Sequence, residues 1–210
     1  MDKASSTNNI IAALEQSNHV RQVELEVAGW QLGEVLAAMQ VAFPKMTRMQ
    51  LSSYVKTPPV FPDSFLGGSA PRLQHLELFG IPFPGFPKLL LSATHLGTLS
   101  LFKIPHSGYI SPEAMVALLY VLSSLRKLAL EFKSAQSRPD RESRSLPPPK
   151  CSILPVLDEL RFEGVTEYFE QLVTRIDAPQ LYDMHLFLFS QIDFDCPRLI
   201  QFINRTPRFS

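Results

Sequence analysis

Apolar side chains recur along this chain in one frame, L-x-x-L-x-L, seven times. The frame opens at Val20, Met46, Leu73, Leu96, Leu125, Leu157 and Leu181, in steps of 26, 27, 23, 29, 32 and 24 residues. Inside each frame the x-L-x-L-x core alternates polar and apolar positions. That is the period of a strand with one buried face and one open face. A single frame is common in any leucine-rich sequence, but seven in register are not. Units of about 20–29 residues are those of leucine-rich repeats, and all the steps but the 32-residue one fit. The pattern therefore predicts an α/β fold, a leucine-rich-repeat solenoid. A short-stranded parallel sheet lines its concave face, and helices or turns line its convex face, because each repeat returns the chain to the same edge.

The segments between frames carry helical signals. Residues 30–39 have helical apolar spacing. Residues 111–120 are a stronger case, because Ser111 is placed to cap and Pro112 suits the first helical turn. Another helix is expected up to residue 173, with Thr166 as a possible cap. Pro82, Pro84 and Pro87 leave room only for a short turn at 88–92. Residues 1–19 read as a lead-in helix or cap, with Ile10, Ile11 and Leu14 in one stripe, and 20–210 as the solenoid. The long step holds an insertion at 133–152, rich in Ser, Arg and Pro, which cannot bury enough apolar surface to offset its ordering entropy. It is expected to be a mobile loop, with a polyproline docking segment or a phosphorylated serine cluster as the alternatives. Residues 199–203 open another apolar segment without another full frame after it. The sheet edge beside Leu186 is then expected to be unpaired, and the chain to self-associate through it.

Three columns of side chains should face the partner side of the sheet. The first holds Gln22, Arg48, His75, Thr98, Lys127, Glu159 and Asp183. The second holds Glu24, Gln50, Glu77, Ser100, Ala129, Arg161 and His185. The third holds Glu26, Ser52, Phe79, Phe102, Glu131, Glu163 and Phe187. Phe79 and Phe102 would be neighbours about 5 Å apart. They either form an exposed aromatic hot spot or tuck into the strand-to-turn corner as core.

Composition narrows the function. The chain has 20 basic and 20 acidic side chains and no net charge, which disfavours nucleic acid and a polybasic membrane anchor. No apolar run approaches the ~20 residues of a membrane span, and residues 1–6 lack the core of a signal peptide. Two cysteines do not make a disulfide framework, so a reducing compartment, cytoplasm or nucleus, is expected. Chemistry is hard to find. The five histidines include no i, i+4 pair, and no zinc-ligand spacing, phosphate cradle or nucleophile elbow occurs. Glu159, Arg161 and Glu163 share a strand face, and a solvated charge cluster accounts for them better than a general acid/base pair. No catalytic residue, metal site or cofactor is expected.

Several phrases extend beyond the repeat: 65–73 (FLGGSAPRL), 108–116 (GYISPEAMV), 164–169 (GVTEYF), 176–181 (IDAPQL) and 191–195 (QIDFD). In this order they resemble the C-terminal leucine-rich region of F-box proteins of mushroom-forming fungi, over roughly residues 20–208. The resemblance implies the substrate-recognition part of a cullin-type ubiquitin ligase, in which the F-box docks the ligase adaptor and the repeats hold the target protein. The chain departs from that pattern at its start. No Leu-Pro pair precedes Val20, so the F-box is expected to be missing from this sequence, as in a fragment, a truncated gene model or a paralogue that lost ligase coupling. A ligase adaptor is an expected partner only if an F-box lies upstream. The alternative is a stand-alone leucine-rich scaffold without a ubiquitin link.

Overall fold

The structure, a computed structural model, describes residues 3–55, 59, 61–82, 88–135, 151–189 and 196–208. Its strands are β1 (Gln22–Val27), β2 (Arg48–Ser53), β3 (His75–Phe79), β4 (Thr98–Ile104), β5 (Lys127–Phe132), β6 (Ser152–Ile153), β7 (Glu159–Gly164), β8 (Ile176–Asp177) and β9 (Asp183–Leu188). Its helices are α1 (Lys3–Glu15), α2 (Gly29–Ala38), α3 (Lys88–Ser92), α4 (Pro112–Val121), α5 (Thr166–Val173) and α6 (Pro197–Arg205). The fold is α/β, with one seven-stranded parallel sheet in the order β1-β2-β3-β4-β5-β7-β9. Every strand of this sheet falls on an expected frame. The separate β6–β8 pair, also parallel, was not expected. It takes in Ser152, the last residue of the expected insertion. The middle of that insertion, 136–150, lies outside the described residues.

The two inward apolar rows run across all seven strands without slippage. Val23, Met49, Leu76, Leu99, Leu128, Leu160 and Met184 are successive partners, and so are Leu25, Leu51, Leu78, Leu101, Leu130, Phe162 and Leu186. A repeated carbonyl device holds the register. Arg21 O accepts from the amides of Thr47 and Arg48, and Thr47 O accepts from Gln74 and His75. Gln74, Gly97, Arg126 and Asp158 continue the same double acceptance across the sheet. A carbonyl has two lone pairs, so one oxygen can receive both amides of the next turn. Each copy therefore sets the start of the following strand.

The apolar columns and the inner faces of the helices share one core. Leu76, Leu78, Leu99, Leu101, Leu128, Leu130 and Leu160 are essentially inaccessible. Leu186, expected to match them, is only half-buried, as is Met184. Among the described residues no strand pairs with the outer side of β9, so its inward side chains lack a neighbour on that side. Phe187, beside them, is 63% exposed. We expect the full chain to self-associate at micromolar concentration and Phe187→Lys to shift it toward monomer. Analytical ultracentrifugation decides this, and a monodisperse wild-type monomer would contradict it.

The helices follow their local signals with one exception. Ser111 caps α4, accepting from the Ala114 amide at 3.2 Å. At α5 the cap position is Val165, not Thr166, and no side chain caps it. The lead-in helix α1 packs on α2, with Leu14 buried and Ile10 and Ile11 half-buried. Gln31 Nε2 donates to Thr7 Oγ1 at 2.6 Å across that contact. At the other end α6 packs on α5 through Leu199 and Phe202. The Glu170 carboxylate accepts from the Arg198 and Leu199 amides, which begin α6, and Arg205 donates to the Val173 and Ile176 carbonyls. The helical side at this end is thus closed, while among the described residues no strand covers the outer edge of β9.

Tyr168 on α5 sits within a cluster of rings. Its centroid lies 4.8 Å from that of Phe132 and 5.7 Å from that of Phe162. Its hydroxyl is buried and has no hydrogen-bond partner among the described residues, and burial pushes its ionisation well above the ordinary phenol range. A buried unpaired hydroxyl costs about 1–3 kcal/mol. Tyr168→Phe removes the orphan and keeps the rings. It is expected to raise the thermal midpoint, and a lowered midpoint would show that the hydroxyl is satisfied.

Candidate functional site

The expected columns are the outward rows of the sheet. Gln22, Arg48, His75, Thr98, Lys127, Glu159 and Asp183 are successive partners in register. The second column is equally regular. The third breaks once. Between Leu101 and Ile104 the pairing of β4 with β5 shifts by one residue, and Lys103 takes φ 49° at that irregularity. One extra residue in β4 separates Phe102 from Glu131, which share no pairing, although Glu131 still pairs with Glu163. Three expected face residues are not open, and Ala129 is one of them at 8% exposed. Ser100 is 7% exposed and Glu131 5% exposed. His75, Glu77, Phe79, Thr98, Phe102, Glu159, Glu163 and Asp183 are half-buried, and Lys127, Arg161, His185 and Phe187 are exposed.

The charged residues of β5 and β7 are partners of one another. Lys127 Nζ donates to Glu159 Oε2 at 2.5 Å, and Arg161 Nε lies 2.5 Å from Glu131 Oε1 as an ion pair. Lys103 Nζ reaches over to Glu163 Oε1 at 2.9 Å. Each carboxylate that shares a strand face with Arg161 therefore has its own cation from a strand further back. This is a cross-strand charge ladder. Sequence reading missed Lys103, because strict alternation turns it inward and only the left-handed residue turns it out. It also missed Tyr54, two positions past Ser52 in the same outward row. The Tyr54 ring is 5.0 Å from that of Phe79 and is 68% exposed.

Phe79 and Phe102 are direct partners across β3 and β4, and both keep partial exposure. They are neither core nor fully open. With Tyr54 they form a short aromatic strip. At its other side His75 Nε2 stands 3.5 Å from Glu77 Oε2. Burial and then the Arg48 charge lower the His75 pKa below its ordinary 6.5, against the opposing pull of Glu77. The folded state therefore binds this proton less readily than the unfolded chain does. Stability from His75 is complete above pH 6.5 and is lost as pH falls from there to the folded pKa. We expect the urea midpoint of wild type to fall between pH 7 and pH 5, and His75→Gln to remove part of that fall. An identical pH profile in the variant would refute this.

An open groove of about 570 Å³ lies at the strand starts, lined by Ser123, Arg126, Asp158, Tyr182 and Arg208, among others. Its charged groups are already engaged. Arg126 donates twice to Asp158 Oδ2, at 3.0 and 2.8 Å, and Arg208 donates to Gln180 while lying over the Tyr182 ring. Among the described residues no group of three His, Cys, Asp or Glu side chains could hold a metal ion. Among them too, no helix is long and apolar enough to cross a membrane. No protein-family model matches this chain, and no curated protein or solved structure matches it.

Proposed function

We propose that this chain is a leucine-rich-repeat solenoid that binds a protein on the concave face of its sheet and carries out no chemistry of its own. The observation behind this reading is the regular face. Seven parallel strands hold two of their outward rows in unbroken register, and an aromatic strip lies at the third. At the usual strand spacing, the six gaps make a platform about 29 Å wide, enough for a partner segment to lie across several repeats. Frame lengths near those of leucine-rich repeats support the solenoid. The phrases shared with fungal F-box proteins support a role in presenting a target protein to a cullin-type ubiquitin ligase, provided an F-box accompanies the repeats.

The test is affinity purification of the full chain and of a Phe79→Ala/Phe102→Ala variant, with quantitative mass spectrometry. A protein recovered with wild type and lost from the variant is the expected outcome. Recovery of a cullin adaptor with it points to the ubiquitin link, and a partner without any adaptor points to a stand-alone scaffold. A partner set indifferent to the face variant would overturn the reading.

A further inference from the structure

Charge is not spread evenly over the outward face. In the half formed by β4, β5 and β7 it cancels in pairs, Lys127 with Glu159, Arg161 with Glu131 and Lys103 with Glu163. The half formed by β1, β2 and β3 is different. Glu24 and Glu26 point outward from β1, are exposed, and have no ion-pair partner among the described residues. Among the described residues Glu77 has only His75 within ion-pair distance, and burial lowers the pKa of that imidazole. Arg48, the one cation in the outward rows of these three strands, has its guanidinium 3.4 Å from the Gln50 amide oxygen. Three carboxylates thus face one guanidinium beside the aromatic strip.

Register places these groups in two rows. Glu24, Gln50 and Glu77 make one, and Glu26, Ser52, Phe79 and Phe102 the other. Resting on the protein-binding reading above, we infer that this half of the face docks a basic segment of its partner. Lysine or arginine side chains meet Glu24, Glu26 and Glu77, and an apolar side chain packs on Phe79 beside Tyr54. Glu26 and Phe79 are two strand spacings apart, roughly 10 Å, which an extended peptide covers in about three residues. The partner's cation and its apolar anchor should therefore be about three residues apart. The Tyr54 ring can also receive a cation on its open face. A second copy of this chain fits poorly, because pairing like faces sets the same carboxylates against each other. A nucleic acid fits worse, since its phosphates would meet them.

The experiment is selection of random dodecapeptides displayed on phage against the full chain, followed by fluorescence anisotropy of the enriched peptides. Expected are peptides with Lys or Arg spaced from a Leu, Phe or Trp, with affinity that falls as salt rises. The charge reversal E24K/E26K should weaken them by at least about tenfold, and Phe79→Ala comparably. Arg72→Glu, an exposed charge outside the outward columns, should leave them unchanged. Glu24 and Glu26 are exposed, so folding should survive, and E24Q/E26Q gives a milder second variant with an intermediate loss. Enriched peptides that lack basic residues, or that bind E24K/E26K as wild type yet need Phe79, would sink the inference while leaving the protein-binding reading intact. Absence of any enriched peptide, or binding indifferent to every face variant, would count against both.

Discussion

Leu99→Ala should destabilise the chain by roughly 2–5 kcal/mol, the range for large core truncations. Leu99 lies in β4, in the middle of the sheet, between Leu76 and Leu128, and is fully inaccessible. The carbonyl ladder pins β4 on both sides, with Gln74 O receiving the Gly97 and Thr98 amides and Gly97 O receiving those of Arg126 and Lys127. The backbone therefore has little freedom to close over the cavity, and the cost should lie toward the upper part of the range. At this chain length each kcal/mol lowers the thermal midpoint by about 2–4 °C. Leu186→Ala, in the neighbouring inward row on the half-open strand β9, should cost clearly less. Differential scanning calorimetry of both variants tests this. Equal losses would mean that burial does not grade along the sheet as described.

Gly80→Ala should be the other severe change, although it adds a single methyl group. Gly80 follows β3 with φ +67°, in the left-handed region. An added Cβ would lie 2.3 Å from the Ser53 carbonyl oxygen, a backbone atom that cannot swing aside. Its amide also donates to the Phe102 carbonyl at 2.8 Å, so the residue ties the ends of β2, β3 and β4 together. Left-handed backbone costs a side-chain-bearing residue about 1–2 kcal/mol, and overpacking about 1–3 more. The sum is about 2–5 kcal/mol. Because Phe79 precedes the glycine, the same variant should also weaken binding at the aromatic strip. A wild-type thermal midpoint in Gly80→Ala would show that this turn yields.

Most of the strand layout was readable because one physical constraint repeats. Each strand buries one face against the same core and pairs in parallel with its neighbour, so the apolar frame marks both its position and its register. Leu76, Leu99, Leu128 and Leu160 were legible for that reason. So was the Ser111 cap, which depends on residues three apart. The outward rows followed from alternation alone, up to β4.

The remainder depended on groups far apart in the chain. Lys103 faces outward only because β4 gains a residue there, and a left-handed lysine carries no local sequence signal. Glu131 and Ser100 were expected to be open, and they are buried by neighbours on adjoining strands that alternation cannot weigh. The cross-strand ion pairs join residues 30 to 60 positions apart, as in Arg161 with Glu131 and Lys103 with Glu163, so the cancellation of charge over half the face was invisible along the sequence. The β6–β8 pair was hidden for a different reason, because two-residue strands are too short to show any period. By itself, then, the amino-acid sequence determined which side chains point inward and how strand follows strand, because burial with a fixed period is a local requirement. Only the tertiary structure decided which outward charges remain unspent and which aromatic rings stay within reach of a partner, because both depend on the neighbours that folding brings alongside.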